Sequence, residues 1–248
     1  MTAPAPAVAG RIGLLVPSSN TTVEPEFYRA LPPGVTLHTT RLFLTRIAPD
    51  AIGALVRELE QASRLLASAD VDVIVLGATA PSFLNGIGYD QELIGRIRGA
   101  TGKPATTTST AMIEALHHIG ARRIALGSAY DETVSAIAAG FLAANGFAPV
   151  VVRQLGLVDN LAVGRLAADT ACTLAREIDR PDVDAIMLAC TNWPTMSMIA
   201  RLERELGKPV LSTSQVSLWA ALRMLGAGAA LSGWGMLLER IGPVRPAN

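Results

Sequence analysis

The sequence predicts an α/β protein of two pseudo-symmetric lobes, each a short parallel sheet flanked by helices, with the active-site cleft between them. Short apolar segments alternate with amphipathic helical segments, which is typical of parallel sheets covered on both faces. The segment VDVIVLGATAPSF returns as VDAIMLACTNWPT, shifted by 112 positions (190 minus 78). A second pair, GKPATTTST and GKPVLSTSQ, follows these segments in the same order. Repeated pairs in the same order indicate a duplicated unit.

The first repeat predicts a strand, a turn and a helix in RIGLLVP, SSN and TTVEPEFYRAL. Residues 48–70 predict one amphipathic helix, because Leu55, Leu59, Leu65 and Leu66 recur at helical spacing with charges between them. VDVIVLG then predicts a second buried strand. The strand of the first GKP segment leads into the helix STAMIEALHHIG, which links the two halves.

The second repeat follows the same plan, since RRIALGSAY aligns with GRIGLLVPS at the same shift. DETVSAIAAGFLAANG and LAVGRLAADTACTLAREI each predict a helix, with the strand APVVVRQLGL between them and VDAIMLACT after them. The helix SQVSLWAALRMLGA is expected to return to the first lobe. The expected division is a disordered leader (1–10), a first lobe (11–107 plus 216–241), a second lobe (108–215) and a tail (242–248).

The composition restricts the function classes. The 248 residues are 50% hydrophobic and carry 21 basic and 21 acidic side chains without a basic stretch, so a nucleic-acid partner is not expected. No apolar run reaches the roughly 18 residues of a membrane span. The leader lacks the features of a signal peptide. Two cysteines and three histidines show no metal-ligand spacing, so we expect no metal, no cofactor and a cytoplasmic, thiol-reduced protein. A small neutral or anionic metabolite is the expected partner, and self-association stays open.

Four polar turns are expected at the carboxyl ends of strands, where parallel sheets bind ligands and helix N-termini offer free N–H groups. They provide hydroxyls, amides and one thiol, that of Cys190. We predict Cys190 as the catalytic residue. The predicted substrate-binding residues are Pro17, Ser18, Asn20, Ala78, Thr79, Ala80, Tyr130, Thr191 and Asn192.

The duplication places Ala78 where the second repeat has Cys190. At a helix N-terminus the Cys190 thiol is expected to have a lowered pKa and to act as a nucleophile or as a proton donor and acceptor. The alternative is that Cys190 is a small core hydrophobe. Racemisation needs an acid and a base on opposite faces, and the Ala78 methyl group is neither. A reaction with protonation on one face fits a single thiol better.

Other candidates have simpler interpretations. Cys172 lies on the apolar face of a predicted helix and is expected in the core. His117 and His118 end the linking helix, where cations are favourable. His38 lies in a predicted strand. Glu24 and Glu26 fall in a first helical turn and are expected to serve in capping.

The duplicated lobes and the Cys-Thr-Asn turn resemble the aspartate/glutamate racemase superfamily, most closely its maleate cis-trans isomerase and arylmalonate decarboxylase branch. IGLLVPSSNTTVEPEF resembles the N-terminal signature of the isomerases, which implies that Asn20 contacts substrate. TTTSTAMIEALHHIGARRIALGSAYDETV resembles a segment of both enzymes and implies that Tyr130 contacts the substrate carboxylate. The resemblance covers nearly the whole chain after Gly10.

The resemblance also shows departures. Racemases of the superfamily use two cysteines, and the isomerases use the first-half cysteine as nucleophile, a position held here by Ala78. Arylmalonate decarboxylases have only the second-half cysteine, which protonates an enediolate, as Cys190 would. Their first-half turn supplies Thr then Ser; this chain has Thr79, then Ala80, with a serine at Ser82.

The resemblance therefore implies a cofactor-independent, single-cysteine decarboxylase of an arylmalonate-like, disubstituted malonic acid. Hydroxyl and N–H donors would stabilise the enediolate, and Cys190 would protonate it. The alternatives are a maleate-isomerase-like or racemase-like enzyme acting on a small carboxylic acid, and a non-catalytic carboxylate-binding homologue.

Overall fold

The computed structural model describes residues 9–227 and 230–241, and within them two four-stranded parallel sheets flanked by helices confirm the predicted fold class. The strand orders are β2-β1-β3-β4 and β6-β5-β7-β8, so the second sheet repeats the first. The elements of the first half are β1 (Gly10–Pro17), α1 (Val23–Ala30), β2 (Val35–Leu42), α2 (Pro49–Arg57), α3 (Leu59–Ala67), β3 (Val73–Leu76), α4 (Thr79–Phe83), α5 (Tyr89–Thr101) and β4 (Ala105–Thr107). Those of the second half are α6 (Thr108–His118), β5 (Arg123–Ser128), α7 (Glu132–Ala144), β6 (Ala148–Gln154), α8 (Asn160–Gly164), α9 (Asp169–Ile178), β7 (Ala185–Ala189), α10 (Met196–Leu206), β8 (Val210–Ser212), α11 (Thr213–Met224) and α12 (Met236–Glu239).

The duplication extends to the register of the strands and to individual hydrogen bonds. Asp72 accepts the Arg11 N–H at 2.7 Å, and Asp184 accepts the Arg123 N–H at 2.8 Å. Both carboxylates fasten the beginning of a central strand. The central strands β1, β3, β5 and β7 are almost entirely apolar and buried, as expected for strands covered on both faces.

Two helices that the sequence predicts as continuous are interrupted. The first breaks at Glu58, whose N–H bonds to Leu55 O in a tighter turn, so that α2 packs on α4 while α3 covers β1 and β2. The second breaks after Gly164, where a Cβ would lie 2.5 Å from Thr21 Oγ1. This close approach of α8 to the other half favours glycine there.

Helices α6 and α11 pack against each other and join the two halves. The Thr108 hydroxyl, at the start of α6, donates to Leu76 O at 3.1 Å and bonds to Ser217 Oγ of α11 at 2.9 Å. The expected lobe boundaries near residues 108 and 216 stay a prediction. Of the expected leader, residues 9 and 10 are ordered, because Ala9 N–H bonds to Gly34 O at 2.7 Å and Gly10 begins β1. Residues 1–8 and the tail lie outside the described residues.

Candidate active site

The turns that follow β3 and β7 line one small cavity between the halves. Ala78 and Cys190, the two residues related by the duplication, both line it. The full lining is Pro17, Asn20, Leu44, Ile47, Ile52, Ala78, Thr79, Ala80, Pro81, Tyr130, Asn160, Cys190 and Thr191. Eight of the ten predicted catalytic and substrate-binding residues are in this set.

Cys190 directly follows β7 and is held in an unusual backbone conformation. Its φ is 151°, which L residues seldom adopt, and its N–H donates to Thr213 Oγ1 at 3.1 Å. The side chain is only 4% exposed. A buried hydrogen bond thus fixes the strained residue that carries the thiol into the cavity wall.

The expectation of a lowered pKa for Cys190 is wrong. The following helix, α10, begins only at Met196, so the thiol does not lie at a helix N-terminus. Burial raises the pKa of the Cys190 thiol to about 11, although the nearby N–H groups of Asn192 and Trp193 and the Tyr130 hydroxyl lower it. At neutral pH Cys190 is therefore a protonated thiol, an acid rather than a preformed thiolate nucleophile.

The polar part of the cavity wall, called the polar wall below, contains the hydroxyl groups of Thr79 and Tyr130. Thr79 Oγ1 is buried and has no hydrogen-bond partner among the described residues. The Tyr130 hydroxyl lies near both Thr79 and Cys190, and burial with the neighbouring Cys190 holds the pKa of Tyr130 well above its usual range. Tyr130 is therefore neutral and can donate. Buried hydroxyls that have spare bonding capacity are suited to a ligand that supplies acceptors, such as a carboxylate.

Asn20 and Thr191 connect the halves at the cavity. Asn20 Oδ1 accepts from the N–H groups of Thr22 at 2.9 Å and Val23 at 3.0 Å, which satisfies the start of α1. Asn20 Nδ2 donates to Thr191 Oγ1 at 3.2 Å, and the Thr191 hydroxyl donates to Gly77 O at 3.1 Å. This chain of bonds fixes both side chains in the cavity wall that also contains the Cys190 thiol.

Ser18 and Asn192, predicted as substrate-binding residues, do not line the cavity. Ser18 Oγ donates to Leu44 O at 3.3 Å and accepts from Leu44 N at 3.0 Å. Asn192 Oδ1 accepts from Thr21 N at 2.8 Å, and its Nδ2 donates to Asn160 O at 2.6 Å. The two side chains support wall residues instead, because backbone groups already occupy their polar atoms.

Replacing Asn192 by alanine is expected to lower the free energy of unfolding by about 1–3 kcal/mol, because the part-buried Thr21 N–H loses its acceptor and the buried Asn160 O loses a donor. Urea denaturation would measure the change. Asn145→Ala is a matched control, since it removes one partly exposed bond to Phe141 O within its own helix. Equal losses in the two variants would contradict the role assigned to Asn192.

Sequence reasoning missed the apolar wall formed by Leu44, Ile47 and Ile52. These residues follow β2, in a segment that meets the loop after β6: Ile47 N donates to Val158 O at 2.9 Å, and Arg46 and Asp159 form an isolated antiparallel bridge. The two loops, 43–48 and 155–160, are called the roof loops below. The sequence signal that could have identified these residues is the position of their segment directly after a strand.

Ser82 does not replace the hydroxyl absent at Ala80. Its hydroxyl oxygen lies 3.0 Å from Thr79 O and 2.7 Å from Ser109 Oγ, so it is already hydrogen-bonded within the protein, whereas Ala80 itself lines the cavity. The first-half turn therefore presents one hydroxyl, Thr79, beside two methyl groups, those of Ala78 and Ala80.

The remaining candidates lie outside the cavity lining. Cys172 is buried on α9. His38 Nε2 bonds to Thr36 Oγ1 at 3.1 Å, and His117 and His118 lie in the exposed last turn of α6. Glu24 pairs with Arg41 near the surface. The described residues contain no group of three His, Cys, Asp or Glu side chains that could hold a metal ion.

Glu26 does serve in capping, but not in its own helix. Its Oε1 accepts from the N–H groups of Thr195 at 2.9 Å and Met196 at 2.8 Å, at the start of α10 in the other half.

Within residues 9–227 and 230–241, no helix has the length and apolarity needed to span a bilayer.

A duplicated α/β fold with a thiol in the cavity between its halves is typical of a known class of proteins. The family model described as arylmalonate decarboxylase matches residues 12–238, and the chain belongs to this family. It is 34% identical over 232 residues to the arylmalonate decarboxylase of Bordetella bronchiseptica, covering 92% of this chain and 96% of the relative. Members of the family are enzymes.

Maleate isomerases are also similar to this chain. That of Pseudomonas putida strain KT2440 is 30% identical over 243 residues, covering 90% of this chain and 97% of the relative. The crystal structure of the maleate isomerase Iso from Pseudomonas putida S16 superposes with a TM-score of 0.89 at 27% identity, covering 93% of this chain and 98% of that one. The resemblance to the maleate cis-trans isomerase and arylmalonate decarboxylase branch, stated from the sequence, is therefore confirmed.

Proposed function

We propose that this chain is a decarboxylase of disubstituted malonic acids that works without a cofactor and delivers a proton from Cys190. The observation that carries the proposal is the cavity itself: one protonated thiol, a methyl group at the duplicated position Ala78, hydroxyl donors and an apolar wall. The likeness to the Bordetella bronchiseptica decarboxylase supports it.

Substrate binding follows from the two walls. One carboxylate accepts hydrogen bonds from Thr79, Tyr130 and other donors of the polar wall, and holds the α-carbon near Cys190. Leu44, Ile47 and Ile52 contact the apolar substituents and keep water from the second carboxylate. A carboxylate without hydration is destabilised, and loss of carbon dioxide moves its negative charge onto the enediolate, which the polar wall stabilises.

The proposed reaction has two steps, loss of carbon dioxide and protonation of the α-carbon. The bond between the α-carbon and the departing carboxylate breaks, carbon dioxide leaves, and the electron pair forms an enediolate with the carboxylate that stays. Donors on the polar wall stabilise the developing oxyanion. The Cys190 Sγ–H bond then breaks and its proton moves to the α-carbon, giving a monocarboxylic acid. Water returns a proton to the thiolate.

The decisive assay supplies a 2-aryl-2-methylmalonate to the purified chain and measures carbon dioxide and the configuration of the product. Release of carbon dioxide with one enantiomer in excess is expected. Maleate tests the second candidate, which the maleate isomerase relatives favour, through formation of fumarate. Binding of malonates without any product would contradict both and indicate a carboxylate-binding protein.

Tyr130→Phe is expected to lower kcat/KM for the malonate by about 10-fold to 100-fold, the usual cost of losing one hydrogen bond to a charged group. Steady-state kinetics measures it. Tyr28→Phe is the matched control, since Tyr28 is 59% exposed, lies outside the cavity lining and donates its hydroxyl to Leu37 O at 3.3 Å. If Tyr130→Phe behaves like Tyr28→Phe, Tyr130 does not bind the carboxylate.

A further inference from the structure

Glu26 is a buried acid that the proposed reaction does not use. It lies on α1, is 3% exposed, and reaches across the interface between the halves to the N-terminus of α10. The Glu26 carboxyl group is not needed to cap α1, because Asn20 already accepts from the first N–H groups of that helix. The carboxyl group therefore stabilises the N-terminus of α10, in the other half.

That segment is the turn that carries the thiol, residues 190–196. Its far end is held by Glu26, which accepts from Thr195 and Met196. Its middle is held by the Thr22 hydroxyl, which donates to Asn192 O at 2.8 Å. Its near end is Cys190, whose N–H donates to Thr213 Oγ1 at 3.1 Å. A turn fixed at both ends holds the sulfur and the neighbouring N–H groups, which lower the pKa of the thiol, in one geometry.

The surroundings of Glu26 are almost free of charge. Arg29, on α1 itself, is the charged side chain that acts on it; α10 presents N–H groups, and α11 presents the Ser214 hydroxyl. Oε2 is buried without a hydrogen-bond partner among the described residues. Burial raises the pKa of Glu26 from 4.5 to about 7, although the hydrogen bonds lower it.

We propose that Glu26 is a positioning residue for Cys190, which fixes the 190–196 turn from the opposite half by capping α10. The kinetic part of this inference rests on the proposed function. The structural part, the geometry of the turn and the ionisation of the Cys190 thiol, is independent of any substrate.

The raised pKa of Glu26 makes stability depend on pH. Between about 4.5 and 7 the folded chain keeps a proton that the unfolded chain releases, so the free energy of unfolding falls as pH rises through this range. Glu26→Gln cannot titrate, and its stability is expected to lack this fall. Urea denaturation of both proteins from pH 4.5 to 8 measures the difference. Parallel pH dependences would contradict the burial of an ionisable Glu26.

The closing experiment compares Glu26→Ala, Glu26→Gln and the control Glu205→Gln in a Cys172→Ser background. Glu205 lies on α10 but pairs with Arg176 at the surface. Iodoacetamide alkylation of Cys190 across pH gives its apparent pKa. Hydrogen exchange of the 190–198 segment reports on the turn, and turnover of the aryl methylmalonate gives kcat and KM.

In Glu26→Ala we expect exchange of the turn to rise at least 10-fold and the alkylation midpoint to shift. We also expect kcat to fall at least 10-fold, with KM changed less than threefold. Glu26→Gln keeps one acceptor for the two N–H groups and is expected to restore most of each property. Unchanged exchange and an unchanged midpoint in Glu26→Ala would overturn the inference. If Glu26→Ala fails to fold, the shorter Glu26→Asp takes its place, and unchanged exchange of the turn with an unchanged alkylation midpoint in Glu26→Asp would overturn the inference. Shifted midpoints with no malonate turnover by any protein would instead overturn the proposed function.

Discussion

Cys190→Ser is expected to lose about 100-fold to 10,000-fold in turnover while the fold stays intact. General acid–base residues contribute rate factors of this size, and a serine hydroxyl is a far weaker acid than a thiol. The two side chains differ little in volume, and the Cys190 N–H keeps its bond to Thr213. Carbon dioxide release by the variant and the parent measures the loss, with circular dichroism as the check on folding.

Cys172→Ser is the matched control, because it makes the same chemical change at a buried position outside the cavity lining. Its turnover per folded molecule is expected to stay near that of the parent. Were Cys190→Ser to turn over the malonate as fast as Cys172→Ser, the proton would have to come from another group, and the one-thiol mechanism would be wrong.

Ala78→Cys is expected to convert a product of one configuration into a mixture of both. Ala78 lines the same cavity and occupies the position that the duplication relates to Cys190, so a thiol there would offer an acid and base on the second face. Its backbone (φ −141°, ψ 114°) is extended and accepts any L side chain. Chiral chromatography of the product, and of the pure product incubated with the variant, measures the effect.

Ala78→Ser separates acidity from size in this test. The serine fills nearly the same space as the cysteine but cannot exchange a proton with carbon at a useful rate, so its product is expected to keep the parent configuration. A Ser variant that scrambles configuration as much as the Cys variant would mean that altered substrate orientation, rather than a second thiol, causes the loss of selectivity.

The duplication explains why the fold could be predicted. A shift of 112 positions aligned Ile74 with Ile186 in sequence, and in the structure these residues pair with Gly13 and Ala125, which are related by the same shift. Buried strands of this kind are specified locally by continuous apolar runs. The carboxyl ends of those strands then had to meet at the cleft, which gave Ala78, Thr79, Tyr130 and Cys190.

Features that depend on contacts between the halves could not be predicted in this way. The pKa of Cys190 depends on burial and on the position at which α10 begins, six residues beyond the thiol. The sequence between Cys190 and Met196 contains no clear signal for the start of a helix. Asn192 and Ser18 have the residue types of ligand contacts, yet partners distant in sequence occupy their polar atoms. Glu26 has the pattern of a local cap but caps a helix about 170 positions away in the chain.

The roof loops have a consequence for how this architecture diversifies. They follow β2 and β6, an edge strand of each sheet, whereas Cys190, Thr79 and Tyr130 follow central strands. Insertions or replacements at an edge disturb few backbone pairings, so the apolar wall can change shape while the thiol stays in place. In such a scaffold the residues that face a ligand's apolar groups can vary independently of the thiol, and a change in ligand preference does not require rebuilding the rest of the cavity.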